Sequence, residues 1–524
     1  MKMKIFRMLP FFLLAAAISC EGQEKQTNQT WTIDTQADWN ESLVEKNGVE
    51  ISDGLASPTG KSAVLSSVIK QFEGKRSAQS ITLKQSTAWL NWNPIGQIEP
   101  KSLSNAPVFL RMGEDDYWLF GGYRKSKDEA PVASATLEGF DVPLMSTKNP
   151  HLFIAPGGVK PKRGGYYGWQ SRDMVNWVFH GPMSPPQAGN ATTAERVDGQ
   201  VYLYYDYPND QDPHLAIDAD LTDGEPGEDM GMAFLDPSHG SDCAIIRDLD
   251  GNFHLILEDW SPIDASTHAW DSPLAMHAVS KDGKGDFKIL PPAVDERTNP
   301  TGKMGEYFHP HWHRGARKDE FPTKIVPEDI PRQRIKKGDI RAFGEYEIHE
   351  PAQNAFGDWA AISIGGQYYL FGDFDPATAH GDRNAMSVAW FTASDINEQF
   401  TFCGNIGKGH PDPDIMFAEG QFYLVTQTKQ DFVSPGPWVK GVTVRVGVDT
   451  NKDGSVNEWT DWQEVNETYA GIPGFAKQVA KTPAQLDLSS LPEGYGFQFE
   501  VKLSDTTTND SKPQLDEVTL TFSE

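Results

Sequence analysis

The stretch SDCAIIRDLDGNFHLILEDW, residues 241–260, decides the fold. A short apolar run is followed by the Asp-Gly signal of DLDGN and then by an aromatic-led apolar run, which reads as a β-hairpin. Four further stretches repeat this plan: SNAPVFLRMGEDDYWLFGGY from Ser104, TTAERVDGQVYLYYDY from Thr192, GDWAAISIGGQYYLFGDF from Gly357 and PDPDIMFAEGQFYLVTQT from Pro411. Between the hairpins lie YYGWQSRDMVNWVFHGP (166–182), LAMHAVSKDGKGDFKILPP (274–292) and MSVAWFTASDINEQFTFCG (386–404), each a strand, a Ser-Arg-Asp, Ser-Lys-Asp or Ala-Ser-Asp turn, and a second strand. These supply the outer strands of four-stranded sheets. The chain is therefore expected to be all-β, with a five-bladed β-propeller over residues 101–440. A double sandwich is the plainer alternative, and the regularity of the repeat favours blades.

The flanks carry a different pattern. Residues 31–100 and 441–524 alternate apolar and polar positions, as in GVTVRVGVD, GFQFEVKLSD and QLDEVTLTF, and read as strands of one accessory β-sandwich. Trp459 and Trp462 in EWTDW are its candidates for stacking on sugar rings, although structural support is the favoured use of the unit. DTNKDGSVNEWTD places Asp449, Asn451, Asp453 and Ser455 at alternating positions with Gly454 for the turn, in the manner of a calcium loop. Thr460 stands where an EF-hand puts its bidentate glutamate, and the preceding segment reads as a strand. A structural calcium is one use of this loop, a calcium sensor is not.

Composition bounds the class. The chain has 524 residues, 15 Trp, 15 Tyr, 28 Phe and a mean hydropathy of -0.50, which describes a folded, strand-rich protein with no membrane-spanning body. A formal charge of -28 argues against nucleic acid as a partner. Residues 1–20, MKMKIFRMLPFFLLAAAISC, have a basic start, an apolar run and small residues ending at Cys20. This resembles a bacterial lipoprotein signal, in which Cys20 is lipidated, with Ala17 where that pattern usually has Leu. Residues 21–30 would then be a polar tether to a membrane lipid anchor. Cleavage of an ordinary secretory signal is the alternative, and both readings make the protein exported. Cys243 and Cys403 remain, as one bridge or as two thiols.

Propeller blades bring their first strands to a common axis, so an acid at the head of each inner strand points into a shared funnel. Asp412 lies twelve residues before Leu424, Asp358 twelve before Leu370 and Asp242 thirteen before Leu255, where DLDG lengthens the turn. The equivalent positions of the first two blades fall near Ala106 and Thr192. Asp414, two residues beyond Asp412, would share its face in a regular strand. Clustered carboxylates suit acid–base chemistry, because repulsion and burial raise one pKa while another group stays ionised.

The pairing of these hairpins with SxDxxNW-type turns, seen best in QSRDMVNWVFHGP and SDCAIIRDLDGNFHLI, resembles glycoside hydrolase family 43 and its five-bladed relatives such as families 32 and 117. The resemblance covers roughly residues 103–440. It implies an exo-acting, inverting glycosidase that needs no cofactor and takes terminal sugars such as xylose or arabinose from plant or algal oligosaccharides. It implies that Asp242 tunes the pKa of the acid, and that Glu350, or alternatively His349, in YEIHEPAQNAFGDW donates the proton. It also implies a base aspartate in the first blade, where this chain has Asn105 or Ala106. WLNWNPIG resembles the family 32 nucleophile motif but has Trp92 at the aspartate position. Asp412 or Asp358 would then serve as base, or the protein would be a non-catalytic surface glycan-binding propeller; a lyase is a third class.

Two further features fall between the third and fourth hairpins. In EYFHPHWHRG, His309, His311 and His313 alternate and would face one side of an extended strand. Three ligands on one strand are awkward for tetrahedral zinc, so hydrogen bonding to sugar hydroxyls beside a stacking Trp312 is the better functional use, against a plain polar rim. Residues 314–341 hold nine Lys or Arg against five Asp or Glu, an insert that suits an anionic sugar, uronate or sulfate ester, or is a solvated loop.

Overall fold

The computed structural model describes residues 29–85, 92–124, 165–206, 213–234, 242–258, 271–296, 354–504 and 513–523, apart from 187, 380 and 439, together with Trp89 and the backbone of three strands between 132 and 154. Cys20, His309, His311, Trp312, His313, the basic insert, His349 and Glu350 lie outside the described residues.

The five hairpins form, and their turns explain why. Asp198-Gly199, Glu419-Gly420 and Gly365-Gly366 each place two successive residues at positive φ between directly paired strands, the two-residue geometry whose twist matches that of the strands it joins. Each hairpin then recruits outer strands. Blade one consists of Leu103–Gly113, Asp116–Tyr123, Tyr167–Ser171 and Trp177–Pro182, widened by the three strands between 132 and 154. Blade two is Ala191–Val197, Gln200–Asp206, Pro213–Asp218 and Glu228–Met232; blade three is Ala244–Arg247, Phe253–Glu258, Leu274–Ser280 and Lys288–Asp295. Blade four is Ala355–Ile364, Gln367–Asp375, Ser387–Ala393 and Thr401–Ile406. In blade five, Asp414–Ala418, Gln421–Val425 and Phe432–Ser434 are completed by Asn93–Pro94, a strand ahead of the expected start of the propeller that closes the ring.

The five inner strands touch in sequence, and the fifth touches the first, so the sheets are arranged radially about one axis. Aromatic layers fill the gaps between blades. Trp89 and Trp92 stack at 5.2 Å and pack with Phe371 and Phe422 between blades four and five. Trp92 is therefore a core residue, which accounts for tryptophan at that position of WLNWNPIG. The outer turns are held by their aspartates: Asp173 Oδ1 accepts from the amides of Val175 and Asn176, and Asp395 Oδ1 from that of Asn397.

The chain ends build the accessory sandwich together. Strand Lys70–Gln85 pairs with Gly494–Ser504 at its start and with Leu515–Ser523 beyond, joining both layers into a nearly closed unit. The alternation in GVTVRVGVD is realised as Val442, Val444, Val446 and Val448, all fully buried beside Phe497, Phe499 and Val501. Trp459 and Trp462 are covered by the Arg445 guanidinium, 4.4 and 4.7 Å from their ring centres, and Trp462 also by Lys502 at 3.8 Å. Their faces are occupied within the protein, as expected for structural support. One segment leaves the sandwich: Thr468–Gly471 and Gln478–Thr482 form a hairpin whose second strand runs parallel to the inner strand of blade four, Ser363 opposite Gln478.

Candidate active site

The inner strands begin with a kink. Register breaks occur between Ser104 and Val108, Ala191 and Thr193, and Gly357 and Ala360. Bulges of this kind re-aim a side chain at the rim of a sheet. At the heads of four blades a residue adopts left-handed backbone geometry: Asn105 (φ 65°), Asp242 (50°), Asp358 (50°) and Asp412 (38°). Asn and Asp are the non-glycine residues that tolerate this region best. Local chain geometry thus turns the heads of blades one, three, four and five toward the axis.

The structure brings Asp242, Asp358 and Asp412 together. Carboxylate oxygens of Asp242, Glu258 and Asp358 lie within 4.8 Å of one another, and so do donor atoms of Asp358, Asp373, His410 and Asp412. The carboxylates of Asp358 and Asp412 thus face each other with oxygens no more than 4.8 Å apart. His410 Nε2 is 3.1 Å from Asp373 Oδ2 and 3.2 Å from Asp412 Oδ1, while Gln427 Nε2 meets its Nδ1 at 2.6 Å, which places the ring proton on Nε2 between the two carboxylates. Asp412's own amide donates to Asp373 Oδ1 at 2.8 Å. The spacing is also one that a cation requires.

Asp414 does not share Asp412's role. It is buried and clamps a blade seam, accepting from the Phe109 amide at 2.6 Å and the Ile415 amide at 2.8 Å. The left-handed turn at Asp412 breaks the alternation that would have put both acids on one face.

Several acids of the cluster escape a search of the inner strands alone. Asp206, Glu258 and Asp373 stand at the far ends of the second strands, which antiparallel pairing returns to the same rim. A signal exists for them: each lies three residues after the leucine of its aromatic strand, Leu203, Leu255 and Leu370. Asp271, buried ahead of the third strand of blade three, joins them. Gly357 makes room: a Cβ there would collide with Glu258 Oε1 and Asp271 Oδ1.

Burial and mutual repulsion set the protonation. Burial, then the charges of Asp242 and Asp412, push Asp358 well above the usual carboxylate range. Burial and Asp242 raise Asp412 to about 7, against the Asp358 side chain and the Arg383 charge, which act to lower it. Burial and Asp242 raise Asp206 to about 8. Asp271 is raised by burial and Asp375, and Asp373 by burial and Asp412. Buried Tyr166, surrounded by Asp206, Asp412, Asp242 and Asp358, is held neutral and donates to the Ala106 carbonyl at 3.1 Å. At neutral pH the well holds protons that are ready to move.

The remaining candidate residues lie elsewhere. In the 449–455 loop, Asp449 accepts from the amides of Asn451, Lys452 and Gly454, and Asp453 from the amide and hydroxyl of Ser455. Cys243 and Cys403 are separate thiols, Cys243 against Thr192 Oγ1 at 3.1 Å.

No family model and no curated protein matches the chain. Among solved structures, it is similar to a thermostable family-43 glycoside hydrolase at 12% identity, over 73% of this chain and 98% of that one, with a TM-score of 0.35. It is similar also to a family-43 β-xylosidase/α-arabinofuranosidase from a compost microbial metagenome, crystallised with xylotriose, at 13% identity over 70% and 98% of the two chains and a TM-score of 0.35. An exo-β-1,3-galactanase from Phanerochaete chrysosporium gives 8% identity over 82% and 100%, with a TM-score of 0.36. Likeness at this level carries no weight of its own; the fold rests on the strand pairing and the chemistry on the carboxylates.

Proposed function

We propose that the protein is an exo-acting glycoside hydrolase whose catalytic groups are the axial carboxylates. The observation that carries this is the convergence of Asp358 and Asp412, with Asp242 beside Asp358, at the heads of the inner strands, where burial and mutual repulsion raise the pKa values of Asp358 and Asp412. Hydrolysis of a glycoside requires a proton donor for the departing oxygen and a base or nucleophile on the other face of the ring, with carboxyl groups about 5 to 9.5 Å apart. Two carboxyls whose oxygens lie within 4.8 Å of each other are too close to flank a sugar. They act as one unit on one face, with Asp412 as the base, Asp358 holding the shared proton, and Asp242 setting both by its charge. Glu350, or His349, just upstream of the same blade's inner strand, is the proposed donor on the opposite face.

The well is itself acidic, so the ring that enters it is neutral; xylose or arabinose fits, with any uronate or sulfate kept toward the rim. A pocket at the propeller axis would suit removal of one terminal sugar at a time, and direct attack by water would give inversion. The location read from residues 1–20, exported and lipid-anchored through Cys20, belongs to the same proposal.

One observation favours a second reading, a glycan-binding propeller without catalysis. Blade one presents Asn105, hydrogen-bonded to Asn190 Oδ1 at 3.3 Å, where the family resemblance implies the base. Incubating the protein and its Asp242→Asn variant with neutral and acidic oligosaccharides separates the two. Sugar release by the parent and its loss in the variant support hydrolysis. Binding by both with no release supports the second reading.

A further inference from the structure

The connecting segment of the sandwich reaches into the propeller. Its loop, residues 472–477, crosses the floor of the ring at the end opposite the axial aspartates and, with the flanking Gly471 and Gln478, touches four blades. The Ala476 amide donates to Glu195 Oε1 at 2.9 Å, Gln478 Nε2 to the Arg247 carbonyl, and the Ser363 amide to the Lys477 carbonyl at 2.9 Å. Arg111 packs against Gly471 so closely that no Cβ fits there, and Arg247 lies over the Phe475 ring at 4.8 Å.

Lys477 is the centre of this plug. It is only 3% exposed, and its ammonium donates to Thr193 Oγ1 at 2.6 Å, a hydroxyl that also receives the Ile245 amide and so joins blades two and three. The charged and titratable groups that sense it are Glu195 of blade two, Cys243 of blade three and Asp414 of blade five, with Arg247 of blade three acting on Glu195 as well. Glu195 is fully buried, and its Oε2 has no hydrogen-bond partner among the described residues. Burial pushes its carboxyl up, and the charge of Lys477 is the main opposing influence. Lys477 acts on Asp414 in the same sense, and Asp414 clamps the inner strand of blade one to that of blade five. An internal ammonium on the floor thus balances acids on which the seams of the ring depend.

We propose that Lys477 is a positioning residue for the axial carboxylates, lent to the propeller by the sandwich's connecting segment; its catalytic part rests on the glycoside-hydrolase reading. Without Lys477, buried Glu195 keeps only the weaker influence of the Arg247 charge, the seams loosen, and the heads carrying Asp412 and Asn105 lose their fixed places.

The test compares the full chain with Lys477→Met, Lys477→Arg and the double variant Lys477→Met/Glu195→Gln. Glu195 is raised in the folded state, so the fold loses stability as pH climbs from the unfolded pKa through the folded one; removing Lys477 extends this window upward. The thermal-midpoint deficit of Lys477→Met is therefore expected to be about twice as large at pH 8 as at pH 5. Arginine should restore about half of it or more, because it keeps the charge. The double variant should be more stable than Lys477→Met at pH 8, a comparison that holds even if the single variant folds poorly. Sugar release should fall about 10-fold or more in kcat with KM nearly unchanged. An equal deficit at both pH values, with no recovery in the double variant, overturns the counter-charge. An unchanged kcat in folded Lys477→Met overturns the positioning role. If the parent releases no sugar from any substrate, the hydrolase reading fails, and the thermal comparison still decides whether Lys477 balances Glu195.

Discussion

The two ends of the propeller's inner strands differ in charge. At the heads stand Asp242, Asp358 and Asp412, with Asp206, Glu258 and Asp373 returned beside them by the second strands. Toward the floor stand Arg111, Arg196 and Arg247, with Lys477 brought in from outside the ring. Between the two ends the strands are apolar and bind blade to blade. The floor sets cations beside the buried Glu195, whereas the heads crowd like charges, which costs stability. Crowding of this kind clusters at functional sites, which supports proposing the heads and not the floor as the working end.

The comparison breaks most visibly at Asp412. Asp412→Asn is expected to lower kcat about 1,000-fold, the scale of a lost general base, while raising the thermal midpoint at pH 8 because one of the crowded charges is gone. Loss of both activity and stability would place Asp412 among structural acids such as Asp414. Gly357→Ala comes next: its methyl group meets Glu258 and Asp271, and a misplacement of that kind should reduce kcat about 100-fold in a protein that still folds.

The pH dependence of stability sharpens the contrast further. Asp206 and Asp412 have folded-state pKa values of about 8 and about 7, above the unfolded value of 3.8. The folded state therefore holds protons that the unfolded state has lost, and these groups make stability fall as pH rises from about 4 to about 8. Thermal unfolding at pH 5 and pH 8 should show this fall, and Asp206→Asn should flatten it, adding about 1–2 kcal/mol at pH 8. The smallest effect belongs to a turn remote from both ends. Gly420→Ala, at φ 69°, should cost about 1 kcal/mol in denaturant unfolding and leave sugar release unchanged.

Much of this was legible in the sequence. The Asp-Gly signal announced a hairpin, and the repeat of its plan announced the others; positive φ at both turn positions of Asp198-Gly199, Glu419-Gly420 and Gly365-Gly366 is a local demand that these residues meet. Asp242, Asp358 and Asp412 could be placed at one depth by counting from the aromatic strand, since strand length and turn length fix that distance. Asp206, Glu258 and Asp373 were missed because they sit at strand ends, where an acid looks like the start of a loop; only the antiparallel return brings them to the rim. Asp414 was ambiguous until the turn at Asp412 was known. Trp92 in the blade core and Lys477 in the floor depend on contacts between distant segments, and no local pattern carries them.

The central claim is that the axial carboxylates hydrolyse a terminal glycosidic bond. Its most direct test is release of reducing sugar from neutral xylo- and arabino-oligosaccharides by the parent protein and by Asp412→Asn, measured side by side at neutral pH. The account predicts release of single terminal sugars by the parent and its near-complete loss in a folded, equally or more stable variant. Undiminished release by Asp412→Asn would contradict it.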